Sequence, residues 1–162
     1  DFIVFVPGAG GVMAQNVGDR RGNGGELELH YSATPQVTLV GNYAYQKSTD
    51  KTSDKPVGES PNQQIYARAE WRVEDKWIIS PQINWVSKQK RAPTDTRTEA
   101  ASHYTTVDLT LRQLNVVPNI NVALSVRNFF DRDVFEPSPV NGIPGDLPMP
   151  GRSVYGELSY QF

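Results

Sequence analysis

The chain has 162 residues and a mass of 18.0 kDa, which is room for one domain. Its 13 Gly and 12 Pro are too many for a helical bundle and, without a repeat, do not make collagen or a Pro/Gly-rich disordered tract. A formal net charge of −2 leaves no basic excess for nucleic acid, and the absence of Cys excludes a disulfide framework, a thiolate metal site and a Cys nucleophile.

In chain order, the organising signal has period two, the mark of strands with one apolar and one polar side. A first strand is expected over Phe2 to Val6, followed by a long Gly-rich loop. Leu27, Leu29 and Tyr31 then alternate with Glu26, Glu28 and His30. After the tight turn Ser32-Ala33-Thr34-Pro35, Val37, Leu39, Gly41, Tyr43 and Tyr45 alternate with Thr38, Val40, Asn42 and Ala44. Lys47 to Asn62 is long and polar. Ile65, Ala67, Ala69 and Trp71 next oppose Tyr66, Arg68, Glu70 and Arg72, and the tight turn Val73 to Lys76 leads to Trp77, Ile79, Pro81, Ile83 and Trp85. Ser87 to Ala101 is long and charged, whereas Val116 to Asn119 is tight. Around that turn, Val107, Leu109 and Leu111 face one side with Ile120, Val122, Leu124 and Val126. Asp131 to Arg152 is long and proline-rich, and the chain ends on Val154, Gly156, Leu158, Tyr160 and Phe162 against Ser153, Tyr155, Glu157, Ser159 and Gln161.

No helical period appears, so the expected class is all-β: an antiparallel up-and-down meander of about eight strands. Loops alternate long and short, which places the long ones at one end of the sheet. A meander whose ends face different compartments has reason to do this, as in outer-membrane barrels. Tyr31, Trp71, Trp77, Tyr160 and Phe162 lie near the short-turn end of the apolar face, and Tyr43, Tyr45 and Trp85 toward the other. Two such bands suit the two interfaces of a bilayer. Tyr104 departs from the pattern and falls on the polar face. No run approaches eighteen apolar residues, so no transmembrane helix is expected. The first residues lack a signal-peptide pattern and read as the start of a mature or truncated chain.

The C-terminus adds specific motifs. Val126-Arg-Asn-Phe-Phe-Asp-Arg-Asp-Val-Phe135, then Pro150-Gly-Arg152 and a last strand ending in Phe162, resembles the end of TonB-dependent receptors. There an Asn-Leu-Phe-Asp-like run closes the penultimate strand and Pro-Gly-Arg opens the last. Phe129 stands where Leu is commoner, and Val134-Phe135 replaces a usual Tyr. The resemblance implies the C-terminal part of a transmembrane barrel of the siderophore-receptor type, in the outer membrane of a Gram-negative bacterium. It also implies that the plug domain is missing, that residues 1–162 form a single domain, and that the chain alone does not transport. Leu158, Tyr160 and Phe162 would form the signature read by the outer-membrane assembly machinery.

Expected partners are the lipid bilayer, the rest of the barrel and plug, TonB indirectly and a ferric siderophore, with no nucleic acid. Glu26, Glu28, Arg68, Glu70, Arg72, Asp108, Arg112, Arg127 and Glu157 would line a wet lumen; Lys90, Arg91 and Arg97 are candidates for capturing an anionic iron chelate. No catalytic, cofactor or metal residues are expected, and no enzyme motif is present. Asp50, Asp54 and Glu59 lack the glycine and ligand spacing of an EF-hand, and Gly8 to Gly11 lacks the Lys of a phosphate loop. The competing reading is a self-contained eight-stranded barrel, either a lipocalin-like ligand binder or an OmpA-like membrane barrel. A fragment with open strand edges is expected either to associate edge to edge with further copies, the favoured outcome, or to close its eight strands on themselves.

Overall fold

The structure is a computed structural model and describes residues 3–8, 10–16, 19–51, 54–58, 60–91, 95–97, 101–138 and 144–162. Seven long strands are β3 (Arg20–Thr34), β4 (Val37–Asp50), β6 (Gln63–Glu74), β7 (Trp77–Val86), β8 (Tyr104–Val117), β9 (Ile120–Arg127) and β12 (Ser153–Tyr160). They pair in the order β12-β9-β8-β7-β6-β4-β3, each antiparallel to its neighbour, and the two-residue β5 (Lys55–Pro56) pairs with β4 to give an eight-stranded sheet. The meander and the count of eight therefore stand, with a different eighth member. The N-terminal strand β1 (Ile3–Gly8) pairs with β2 (Gly11–Asn16) in a separate hairpin, and β10 (Phe135–Glu136) with β11 (Leu147–Pro148) in another. Phe2, where that first strand was expected to begin, lies outside the described residues. β3 begins at Arg20, earlier than alternation suggests, because Arg20 to Gly25 pairs with Asp50 to Tyr45 without supplying an apolar row.

The three tight turns sit at Pro35-Gln36, Asp75-Lys76 and Pro118-Asn119. Each is preceded by a register shift on its incoming strand, between Ser32 and Thr34, Arg72 and Glu74, and Gln113 and Val117. A bulge beside a short turn supplies the extra twist that lets strands reverse in so few residues. Asn115 and Asn119, at the last of these, have positive φ of 46° and 68°, a region Asn tolerates better than most side chains.

The register carries the two faces intact across the sheet. Leu29, Gly41, Ala67, Ile83 and Val107 form one outward row; Leu109, Val126 and Val154 belong to another. These rows are not a dry nucleus: Leu27 is 67% exposed, Leu124 51% and Leu158 69%. Trp77 and Trp85 are eight residues apart on β7, ~26 Å along a strand. With the tilt usual in membrane barrels this becomes ~20 Å of height, close to the apolar band of such barrels. The opposite face is the sheltered one, where Ser80, Asp108 and Thr110 are buried. Burial is thus inverted relative to a soluble sandwich.

Packing of the soluble kind is found elsewhere. Among the described residues, the buried hydrophobic ones are Val86, Ala101 and Val134, at or beyond the long-loop ends of the strands. They belong with the long connections between β7 and β8 and between β9 and β12. β3 and β12 are the outer strands of the sheet, each paired on one side only among the described residues.

Candidate functional site

The sheltered polar face holds a concavity of about 470 Å³. Asn42, Tyr66, Asn84 and Thr106 form its floor in one cross-strand row, since the register aligns Asn42 with Tyr66, Tyr66 with Asn84 and Asn84 with Thr106. Tyr104 and Tyr155 flank it, and Val134 and Met149 close it from the long-loop side. Tyr104 lies on this polar face as its position in the alternation requires, with its hydroxyl donating to Glu136 Oε1 at 3.1 Å.

Asp108 anchors the inner wall. One oxygen accepts from Arg127 Nη1 at 2.9 Å and the other from the Asn128 backbone N–H at 2.8 Å. That ties β8 to the point where β9 ends. Asn128, with a φ of 48°, then closes the next turn on itself. Its side-chain carbonyl accepts from the Arg132 N–H at 2.9 Å and its amide donates to the Arg132 carbonyl at 2.8 Å. Asp131 reaches across to β12 and accepts the Arg152 N–H at 2.7 Å. A Cβ at Gly151 would lie 3.0 Å from the Asp131 carboxylate oxygen that takes this bond, so the glycine leaves it undisturbed. The Asn-Phe-Phe-Asp and Pro-Gly-Arg motifs are two halves of one clasp. Sequence reasoning used them as a signature without assigning them a contact.

The remaining polar-face residues share that face by register but form no single cluster. Glu26 and Glu28 lie exposed on β3, and Glu28 sits 3.3 Å from His30. Arg68 and Glu70 pair along β6 at 3.1 Å, while the Arg68 Nε is buried with no hydrogen-bond partner. Arg72 turns toward the short-turn end and donates to the Asp75 carbonyl at 3.2 Å. Arg112 lies opposite Ile78 and Ala123, and Glu157 shares a shallow groove with Ser125, Arg127 and Tyr155. On the outward face, Leu158 pairs with Val122 and Tyr160 with Ile120, with the Tyr160 and Phe162 rings 6.3 Å apart.

The three loop cations occupy different situations. Arg91 makes a bidentate pair with Asp146 at 2.6 and 2.9 Å. Arg97 grips Asp95 through Nε and Nη2, and also donates to Ser138 Oγ at 2.8 Å, the Ser138 carbonyl at 3.0 Å and the Gly145 carbonyl at 3.3 Å. Lys90 is exposed. The Arg97 guanidinium lowers the Asp95 carboxyl from an ordinary 3.8 to about 2, and Arg91 lowers that of Asp146. Asp95, Asp146 and Ser138 were not singled out from the sequence, because Arg91 and Asp146 stand 55 positions apart with no local pattern linking them.

Of the acidic trio weighed against an EF-hand, Asp50 ends β4 and Asp54 has a φ of 54° in the following turn; Glu59 lies outside the described residues. No group of three or more His, Cys, Asp or Glu with metal-binding geometry occurs among the described residues. Gly8 and Gly11 pair across the β1–β2 turn, and Ala9 between them lies outside the described residues.

Residues 1–129 match the family described as TonB dependent receptor-like, beta-barrel. The metal-pseudopaline receptor CntO of Pseudomonas aeruginosa is 27% identical over 150 residues, covering 83% of this chain and 21% of that protein. The chain thus spans about a fifth of the length of the curated relatives it matches. Among solved structures, the copper transporter OprC superposes over 100% of this chain and 27% of its own, with a TM-score of 0.81 and 23% identity. The ferric enterobactin receptor PfeA of P. aeruginosa superposes over 93% of this chain and 24% of its own, with a TM-score of 0.76 and 22% identity. Both likenesses bear on the fold, and they agree with the open meander rather than with a closed eight-stranded barrel. With the outward apolar rows, the sheltered polar face and the motif clasp, they lead to one conclusion: this chain belongs to the TonB-dependent receptor β-barrel family, whose members reside in the outer membrane of Gram-negative bacteria.

Proposed function

We propose that the chain is the C-terminal barrel portion of a receptor that imports a metal chelate, a ferric siderophore foremost, and that it does not transport alone. The inverted burial carries this reading: hydrophobic rows meet lipid, and the polar face borders water and a plug. In this reading Glu26, Glu28, Arg68, Glu70, Arg72, Asp108, Arg112, Arg127 and Glu157 line the lumen. The work comes from TonB acting on the plug, and Leu158, Tyr160 and Phe162 guide insertion by the assembly machinery. Lys90, exposed on the long-loop side, is the loop cation best placed to meet an anionic chelate.

The names of related receptors include pseudopaline-bound metal, copper and ferric enterobactin, so the cargo class is a metal or its chelate. The test is uptake by cells carrying the full receptor gene, with radiolabelled iron, zinc and copper supplied free and as siderophore complexes. Accumulation of a chelated metal that vanishes when TonB is deleted supports the proposal. TonB-dependent uptake of cobalamin or a glycan, with no metal accumulation, overturns it.

A further inference from the structure

We infer that the described parts of the connection between β7 and β8 (residues 87–91, 95–97 and 101–103) and of that between β9 and β12 (residues 128–138 and 144–152) form one rigid rim segment, and are not two independently moving flaps. The inference rests on the side-chain network and not on the identity of the cargo. Long polar loops are ordinarily solvated and individually mobile. Both of these contain packed interior: Ala101 is 3% exposed, Val134 5% and Ser138 2%. Gln89, also buried, exchanges backbone hydrogen bonds with Ala101 at 3.0 and 3.2 Å, which folds the first connection back on itself. Met149 N donates to the Val134 carbonyl at 2.8 Å, which does the same for the second.

Two arginines then cross between the connections. Arg91 and Arg97 come from the first, while Asp146, Ser138 and Gly145 come from the second. Arg forks on carboxylates resist rotation because both bonds must break together. The Arg91–Asp146 pair is largely sheltered, with side chains 12% and 20% exposed. Ser138 is locked from both sides, accepting from Arg97 and donating to the Gly145 carbonyl at 2.6 Å. A third tie, from Tyr104 to Glu136, fixes the assembly to the top of β8. The β4–β6 connection touches the first of the two where Pro61 forms an antiparallel bridge with Gln89.

This chain has no Cys, so cysteines introduced into it are its only labelling sites. Spin labels at Lys88 and Asp133, both exposed, report the distance between the two connections; labels at Lys51 and Asp133 serve as the comparison. In the full receptor in outer-membrane vesicles, the first pair should give one narrow distance distribution. Removing the fork with R91A and D146A should at least double its width, and the reversal R91D with D146R should restore it. A broad or two-peaked distribution in the unmodified receptor overturns the inference, as does a width indifferent to R91A and D146A. Failure of the reversal to narrow the distribution does the same, because rescue separates a broken tie from general misfolding.

Discussion

The carboxylate of Asp131 accepts the backbone N–H of Arg152 at 2.7 Å, joining the turn after β9 to the first residue before β12 across 21 positions of sequence. Asp131 holds this pose with a φ of 53°, and Gly151 leaves room for it. The bond fixes where the last strand starts, and so which of its residues face outward. Removing the acceptor with D131A should cost about 1 kcal/mol, the usual net value of such a bond. Amide exchange at Arg152 to Tyr155 in detergent should accelerate roughly fivefold. Unchanged exchange would show that the register of β12 is set by its pairing with β9 alone.

Facial inversion makes a second expectation. Leu124 is outward and half-exposed, paired with Leu111 and Gly156 in the same row. L124R should destabilise the barrel by about 2–4 kcal/mol in lipid vesicles, the cost reported for such residues near the bilayer midplane. Q82K, on the sheltered polar face between Arg68 and Asp108 by register, should cost far less. Denaturant titration of the full receptor in vesicles compares the two. Equal penalties would contradict the assignment of faces.

Gly24 gives a steric test. A Cβ there would collide with the Tyr45 carbonyl oxygen and come within 3.1 Å of the Gln46 Cα, both backbone atoms that cannot swing away. G24V should therefore loosen the upper part of the β3–β4 pair. G25A, where a Cβ meets nothing within 4 Å, should be tolerated. Exchange of the β4 amides from Tyr45 to Asp50 distinguishes them, and comparable effects would refute the steric account.

The rim ties also have a defined pH range. Asp95 is lowered to about 2, first by hydrogen bonds from Arg97, and Asp146 is lowered mainly by Arg91. A depressed folded-state value contributes stability that is full above the ordinary carboxyl range and is lost as pH falls through the folded value. The tie through Asp95 should thus be insensitive to pH from about 5 upward and weaken between about 4 and 2. A carbon-13 titration of the Asp95 carboxyl reads this directly. A midpoint near 4 would mean that the Arg97 contact does not persist in solution.

Much of the sheet was legible because alternation is a local signal. Ile65 to Trp71, Trp77 to Trp85 and Ile120 to Val126 each declare their strand, their faces and their neighbours within ten residues. The upper part of β3 did not, since Arg-Arg-Gly-Asn-Gly-Gly has no apolar row to alternate. Its strand character comes from pairing with β4. β2 was hidden for a similar reason, because glycines at 8, 10 and 11 read as loop while they turn a hairpin. At the rim nothing local foretold the outcome: an Arg in a polar loop looks the same whether it waits for a ligand or holds an aspartate 55 positions away. Lumen residues were legible as a face, and their individual partners were not.

One consequence follows from the way the meander begins and ends. β3 and β12 both descend from the long-loop end toward the tight turns, since seven long strands that alternate in direction begin and end alike. An all-antiparallel cylinder must alternate direction at every seam, including the last. These two margins cannot meet each other that way, whatever curvature the sheet acquires. Any complete antiparallel cylinder containing them has an odd complement of further staves between β12 and β3, the outermost of which climb where these two descend.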